Sequence, residues 1–167
     1  MESELEHLLT NTYKAEMIKI MKSHPECFNE LINLSVSPSQ KYSWRASWLL
    51  WSCIEPNDNR LHKYLNKIVD VLPTKKDNQQ RELLIVLQKM EIDPSLEVKI
   101  IDTCINIWEK KGKNTSLRYN ALKLLIKISQ KYPELSREIR LLTEPQYVDE
   151  LSDTAKKSIY RLTNELS

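Results

Sequence analysis

Trp44-Arg45-Ala46-Ser47-Trp48-Leu49-Leu50 is one of three related stretches, each built around an arginine near the start of an apolar-periodic segment. The next is Gln80-Arg81-Glu82-Leu83-Leu84-Ile85, and the last is Leu117-Arg118-Tyr119-Asn120-Ala121-Leu122. From 45 to 81 and from 81 to 118 the steps are 36 and 37 residues. Self-similarity at this period marks stacked helix pairs, in which each unit buries its apolar face only against its neighbours.

The pattern extends outward from the arginines. In the first helix of each pair Phe28, Tyr64 and Ile100 correspond, then Ile32, Ile68 and Cys104, then Val36, Leu72 and Trp108. These positions are four apart and form one apolar stripe. In the second helices Trp48, Leu84 and Ala121 correspond, as do Leu49, Ile85 and Leu122, and Trp51, Leu87 and Leu124. The spacing predicts an all-α chain: a first helix near 3–22, then pairs 25–36 with 41–54, 57–72 with 76–91, 94–111 with 115–132, and 134–143 with 149–165. One domain over 1–167 is expected. Residues 1–22 serve as an N-terminal cap helix, and 133–167 as a degenerate capping repeat with Ile139, Ile159 and Leu162 in its core.

Punctuation agrees. Pro25, Pro94 and Pro133 stand where helices begin, a tolerated position. Pro38, Pro56, Pro73 and Pro145 fall in short polar connections, so no proline interrupts an apolar segment. Gly112 is the only glycine. Phosphate-binding loops, dinucleotide fingerprints and nucleophile elbows need several glycines, so those chemistries are excluded.

The arginine-centred stretches resemble the HEAT-repeat family, over residues 24–132 best. The resemblance implies an α-α superhelix of about four antiparallel helix pairs plus the N-terminal helix, with the second helices on the concave side. In that family an acid in the turn often pairs with the arginine of a neighbouring repeat. Asp77 fits, whereas Lys41 and Asn114 stand at the other two places. The whole chain is also similar to short bacterial HEAT-like proteins, some labelled adenylosuccinate lyase. The lyases need a glycine- and serine-rich loop, which this chain lacks. A more distant resemblance is to the HEAT-like alkylpurine DNA glycosylases, which use tryptophans and an aspartate in a basic cleft. No aspartate accompanies Trp48 or Trp51 on their helix.

The net charge of +2 is unevenly spread. Residues 1–55 hold 5 Lys/Arg against 7 Asp/Glu, residues 56–132 hold 15 against 9, and residues 133–167 hold 5 against 7. The acidic N-terminus is not a signal peptide, and no apolar run is long enough to span a bilayer. Cys27, Cys53 and Cys104, each within an apolar helical pattern, read as free core thiols of a cytoplasmic protein. His7, His24 and His62 lack ligand spacing, so neither a metal nor another cofactor is expected.

Three features are candidates for function. Trp44, Trp48 and Trp51 share a helix face; the repeat alignment assigns them to the core, and a binding cage is the alternative. Arg45, Arg81 and Arg118 lie beside the core stripe and either brace neighbouring repeats or contact a ligand, Arg118 being the best placed for a ligand. Aligning the second helices on their arginines gives one further face, apolar at Leu50, Ile54, Leu83, Val86 and Met90 and basic at Lys123, Lys127 and Lys131. That face is expected either to lie under helix 3–22 or to bind a partner. The expected function is a non-catalytic scaffold for a protein or peptide with apolar anchors and acidic residues. Nucleic-acid binding is the alternative, and no membrane role is expected.

Overall fold

A computed structural model describes residues 1–38 and 41–166. Every regular element among them is helical: α1 (Glu4–Asn11), α2 (Lys14–Ser23), α3 (Phe28–Val36), α4 (Ser43–Cys53), α5 (Leu65–Val71), α6 (Asp77–Gln88), α7 (Pro94–Glu109), α8 (Thr115–Ser129), α9 (Ser136–Leu141), α10 (Pro145–Val148) and α11 (Asp153–Thr163). Short 3-10 turns at Pro25–Cys27, Asn59–Tyr64, Leu72–Thr74 and Pro133–Leu135 extend the first helices of several pairs. The chain divides into two compact units, Met1–Glu91 and Ile92–Ser167.

The expected N-terminal helix is two helices. A capping box starts α1, Ser3 Oγ accepting from the Glu6 amide and Glu6 accepting from the Ser3 amide. Thr12 and Tyr13 are extended, with ψ of 146° and 151°. The sequence favours the break there: Asn11 turns its side chain back onto the His7 carbonyl at 3.0 Å, and Thr and Tyr are mediocre helix formers. The break leaves the Thr12 carbonyl to accept from Arg45 at 3.1 Å. Two other expected helices also shrink. Residues 57–72 yield a 3-10 turn followed by the seven-residue α5, and 149–165 becomes α11 preceded by α10, which Pro145 opens.

In the first unit α3 and α2 both pack on α4, and α4 packs on α6. In the second, α7 packs on α8, which also meets α9 and α11. The first-helix stripe is core as the periodicity requires: Phe28, Ile32, Val36, Ile68, Leu72, Ile100, Cys104 and Trp108 are all buried. Tyr64 is the exception; it is partly exposed, and its hydroxyl donates to Asn29 at 2.8 Å. Of the expected terminal core, Ile139 and Ile159 are buried and Leu162 is half-buried.

Second-helix side chains donate to carbonyls at the ends of first helices, where the helical ladder runs out; the Leu72 carbonyl also accepts from the Lys75 amide at 3.3 Å. Ser47 and Gln79 both donate to the Ser35 carbonyl, at 3.0 and 2.7 Å. Gln80 donates to Leu72 at 3.0 Å, and Arg118 to Trp108 at 2.8 Å.

Candidate functional site

The apolar half of the expected partner face is closed. Leu50, Leu83, Val86 and Met90 have no exposed surface, and Ile54 is only 5 % exposed. Helix α2 supplies part of the cover: it lies on α4, its Met17 and Met21 are buried, and Met21 and Ile54 wall the same cleft. These five residues are therefore core, because apolar surface of that size is costly to leave wet.

The basic half remains at the surface, though its lysines have partners. Lys131 donates to Glu97 at 2.8 Å and to the Ile92 carbonyl at 3.2 Å. Lys123 sits over the Tyr119 ring at 5.6 Å. Lys127 is half-buried. Tyr132 completes the buried Glu97 site by donating to its carboxylate at 2.5 Å. Burial opposes ionisation of Glu97, but the hydrogen bonds from Lys131 and Tyr132 outweigh it and hold the carboxyl below its ordinary range.

The three arginines are not equivalent. Arg118, the one expected to be best placed for a ligand, is wholly buried. Its Nε donates to Trp108 at 2.8 Å, one terminal nitrogen to the Tyr147 carbonyl at 2.7 Å and the other to Glu150 at 2.9 Å. Its guanidinium also lies 4.5 Å from the Trp108 ring centroid. A guanidinium with no exposed surface, bonded through all three nitrogens to internal acceptors, is not presented to a ligand. Arg45 reaches back to the Thr12 carbonyl, and Arg81 donates to Glu82 at 2.6 Å.

The tryptophans are the larger correction. The alignment predicts core, yet Trp44 is 36 % exposed and Trp48 and Trp51 are partly exposed. The buried side of α4 carries Ser43, Ala46, Ser47, Leu49 and Leu50. Small residues there let α3 and α6 approach closely, and three indoles do not fit into the same contact. The signal was in the sequence: Ser43, Ala46 and Ser47 mark the tight face, and the tryptophans mark its neighbour.

The result is an aromatic surface fixed from three helices. Trp48 and Trp51 meet edge-to-face, with centroids 6.1 Å apart and planes at 76°. Lys14 of α2 places its ammonium 4.6 Å from the Trp48 centroid. Lys89, just past α6, lies 5.6 Å from the Trp51 centroid and donates to the Trp51 carbonyl at 2.7 Å. The Trp51 indole N–H donates at 2.5 Å to Glu82, which is buried and also takes Arg81. Edge-to-face rings and cation–π pairs both hold indoles in fixed orientations.

A cleft of about 510 Å³ at the C-terminal end of α4 is walled by Met21, Lys22, Phe28, Cys53, Glu55 and Arg60, among others. Burial pushes the Cys53 thiol above its ordinary value, the opposite of what a thiolate nucleophile requires. Cys27 and Cys53 are partly exposed rather than core, and only Cys104 is buried. Among the described residues no group of His, Cys, Asp and Glu is arranged to hold a metal ion. No helix there is long and apolar enough to cross a membrane.

Comparison with curated proteins and with solved structures finds no match. The family model of the HEAT repeat domain matches residues 1–165, and the chain belongs to the HEAT-repeat family.

Proposed function

We propose that the chain is a binding scaffold with no chemistry of its own, and that it docks a partner protein on the tryptophan face of α4. One observation carries this reading: the solvent side of α4 presents Trp44, Trp48 and Trp51 where a surface helix ordinarily presents polar residues. Tryptophan is the residue type most enriched at binding hot spots, because it offers a large rigid area at little entropic cost. Membership of a helical-repeat family, whose members commonly bind proteins, supports the same reading.

The test is affinity capture from native lysate with the wild-type chain and with a Trp44→Ser/Trp48→Ser double variant, after circular dichroism shows both folded. Proteins retained by the wild type and lost from the variant are the expected outcome. Equal recovery of the same proteins by both would sink the proposal.

A second reading rests on a different detail. Lysines and aromatic rings alternate across this face, Lys14 with Trp48 and Lys89 with Trp51, an arrangement that also suits single-stranded nucleic acid. Binding of that kind would weaken steeply as salt rises.

A further inference from the structure

Resting on the protein-docking reading above, we infer that the segment docking on the tryptophan face is acidic, with apolar anchors spaced three and four residues apart. Charge complementarity gives the sign. Two ammoniums lie over the indoles, Lys14 of α2 and Lys89 at the end of α6; Arg81 shares Glu82 with the Trp51 indole, and Arg45 follows Trp44 on α4. The carboxylate built into the face, Glu82, is buried and already shared between Arg81 and the Trp51 indole. Lys14, Arg45 and Lys89 form no ion pair among the described residues; their polar contacts are aromatic rings and main-chain carbonyls, which leave a net positive charge. Ammoniums already cover one face each of Trp48 and Trp51, so a cationic ligand would have to displace like charges to reach the rings. Carboxylates meet no such obstacle.

The spacing gives the shape. Trp44, Trp48 and Trp51 are separated by four residues and then three along α4, a rise of about 10 Å. A ligand helix repeats its own side-chain stripe at that interval, so anchors at i, i+3 or i+4, and i+7 meet the row of indoles. Tyr13, 86 % exposed, directly precedes Lys14 and adds apolar surface at the start of α2.

The experiment uses the full chain and four dye-labelled probes, read by fluorescence anisotropy. One peptide carries leucine and phenylalanine at positions 1, 4 and 8 with glutamates between. A second has lysines in place of the glutamates, and a third keeps the glutamates but has alanine anchors. The fourth probe is a thymidine homopolymer. The expected result is that the acidic anchored peptide binds best, with affinity falling about tenfold in Lys14→Glu and further in Lys14→Glu/Lys89→Glu. Because Lys89 also holds the Trp51 carbonyl, the exposed Lys14→Glu variant alone is sufficient for the comparison. Tighter binding of the basic peptide, undiminished binding of the alanine-anchored peptide, or preference for the thymidine polymer would each overturn the inference, as would binding of none of the probes. Any of those results leaves the protein-docking reading standing if the tryptophan variant still loses its captured partners. If capture is also unchanged, both fall.

Discussion

Gln80 and Arg118 do the same job in the two units by different chemistry. Each sits near the start of a second helix and donates to the residue at the end of its first helix, at the aligned positions Leu72 and Trp108. In the unit Met1–Glu91 the donor is a neutral amide, and its carbonyl oxygen is the one buried side-chain atom without a hydrogen-bond partner among the described residues. In the unit Ile92–Ser167 the donor is a guanidinium that forks to three acceptors. A repeat position therefore preserves an acceptor that must be satisfied, while the donor that meets it varies. The energetic consequences differ because removing the guanidinium takes a donor from three groups at once, whereas removing the amide takes one donor from a carbonyl that keeps the Lys75 amide.

The largest effect is expected at Arg118. Arg118→Ala leaves the Trp108 and Tyr147 carbonyls without their side-chain donor, leaves Glu150 with the Gly112 amide but no cation, and empties the space beside Trp108. Losses of about 3–5 kcal/mol follow from breaking a buried charge network of this kind. Urea unfolding followed by hydrogen exchange should show the loss concentrated in α7, α8 and α10. Arg118→Lys restores the charge but not the fork, and is expected to recover only a minor part.

Gln79 in the first unit tests whether redundancy softens such a loss. Its side-chain amide donates to the Ser35 carbonyl, and its oxygen accepts from Ser43 at 3.2 Å. The Ser35 carbonyl keeps Ser47 as a second donor. Gln79→Ala should accordingly cost about 1–2 kcal/mol, less than a single-donor site would. A loss matching that of Arg118→Ala would show that the two donors to the Ser35 carbonyl do not substitute for one another.

Much of the architecture was legible because helix pairing is written in repeated spacing. The first-helix stripe at positions 28, 32 and 36 and their equivalents needed only a period of four. The second helices were harder. Ser43, Ser47, Leu50 and Ile54 align with Gln79, Leu83, Val86 and Met90, and all eight are buried. One position later along the helix the register still holds while burial does not. Leu84 and Leu87 are enclosed, but the aligned Trp48 and Trp51 remain partly exposed. Alignment transfers the direction of a side chain and not its size or the room around it: the indole of Trp108 is enclosed at the Leu72 position, whereas those of Trp48 and Trp51 are not enclosed on α4. The apolar face at Leu50, Ile54, Leu83, Val86 and Met90 failed as an open surface for a related reason. Projecting single helices shows which residues share a side, but not that α2 lies on α4. The break at Thr12–Tyr13 was likewise invisible to a period of 3.6, since apolar residues continue on both sides of it.

Acid sharpens the comparison within the second unit. The Glu97 carboxyl is held below its ordinary range, so its folded pKa lies under its unfolded one. Its contribution is complete above the unfolded value of about 4.5 and disappears as pH falls through the folded value. Tyr132→Phe removes one of the two hydrogen bonds that depress it. That variant should cost about 1 kcal/mol at neutral pH and carry a smaller penalty in acid, where protonation of Glu97 weakens the interaction in the wild type. Equal penalties at pH 7 and pH 3 would assign the tyrosine a packing role alone.

The smallest effect should come from Gln80 itself. Gln80→Met removes the shorter of two hydrogen bonds to the Leu72 carbonyl, which keeps the Lys75 amide at 3.3 Å and so loses only part of its satisfaction. The same change removes the orphaned Gln80 oxygen, which already carries a penalty of that kind in the wild type. Methionine is nearly the same length and flexible enough to fill the space. The two terms oppose each other, and the net change should stay within about 1 kcal/mol of zero. Gln80→Glu separates them, because a carboxylate keeps the buried oxygen and supplies no donor for Leu72. If the glutamate variant were as stable as the methionine one at neutral pH, the unpaired oxygen would carry no penalty, and the neutral brace of the first unit would be as complete as the charged brace of the second.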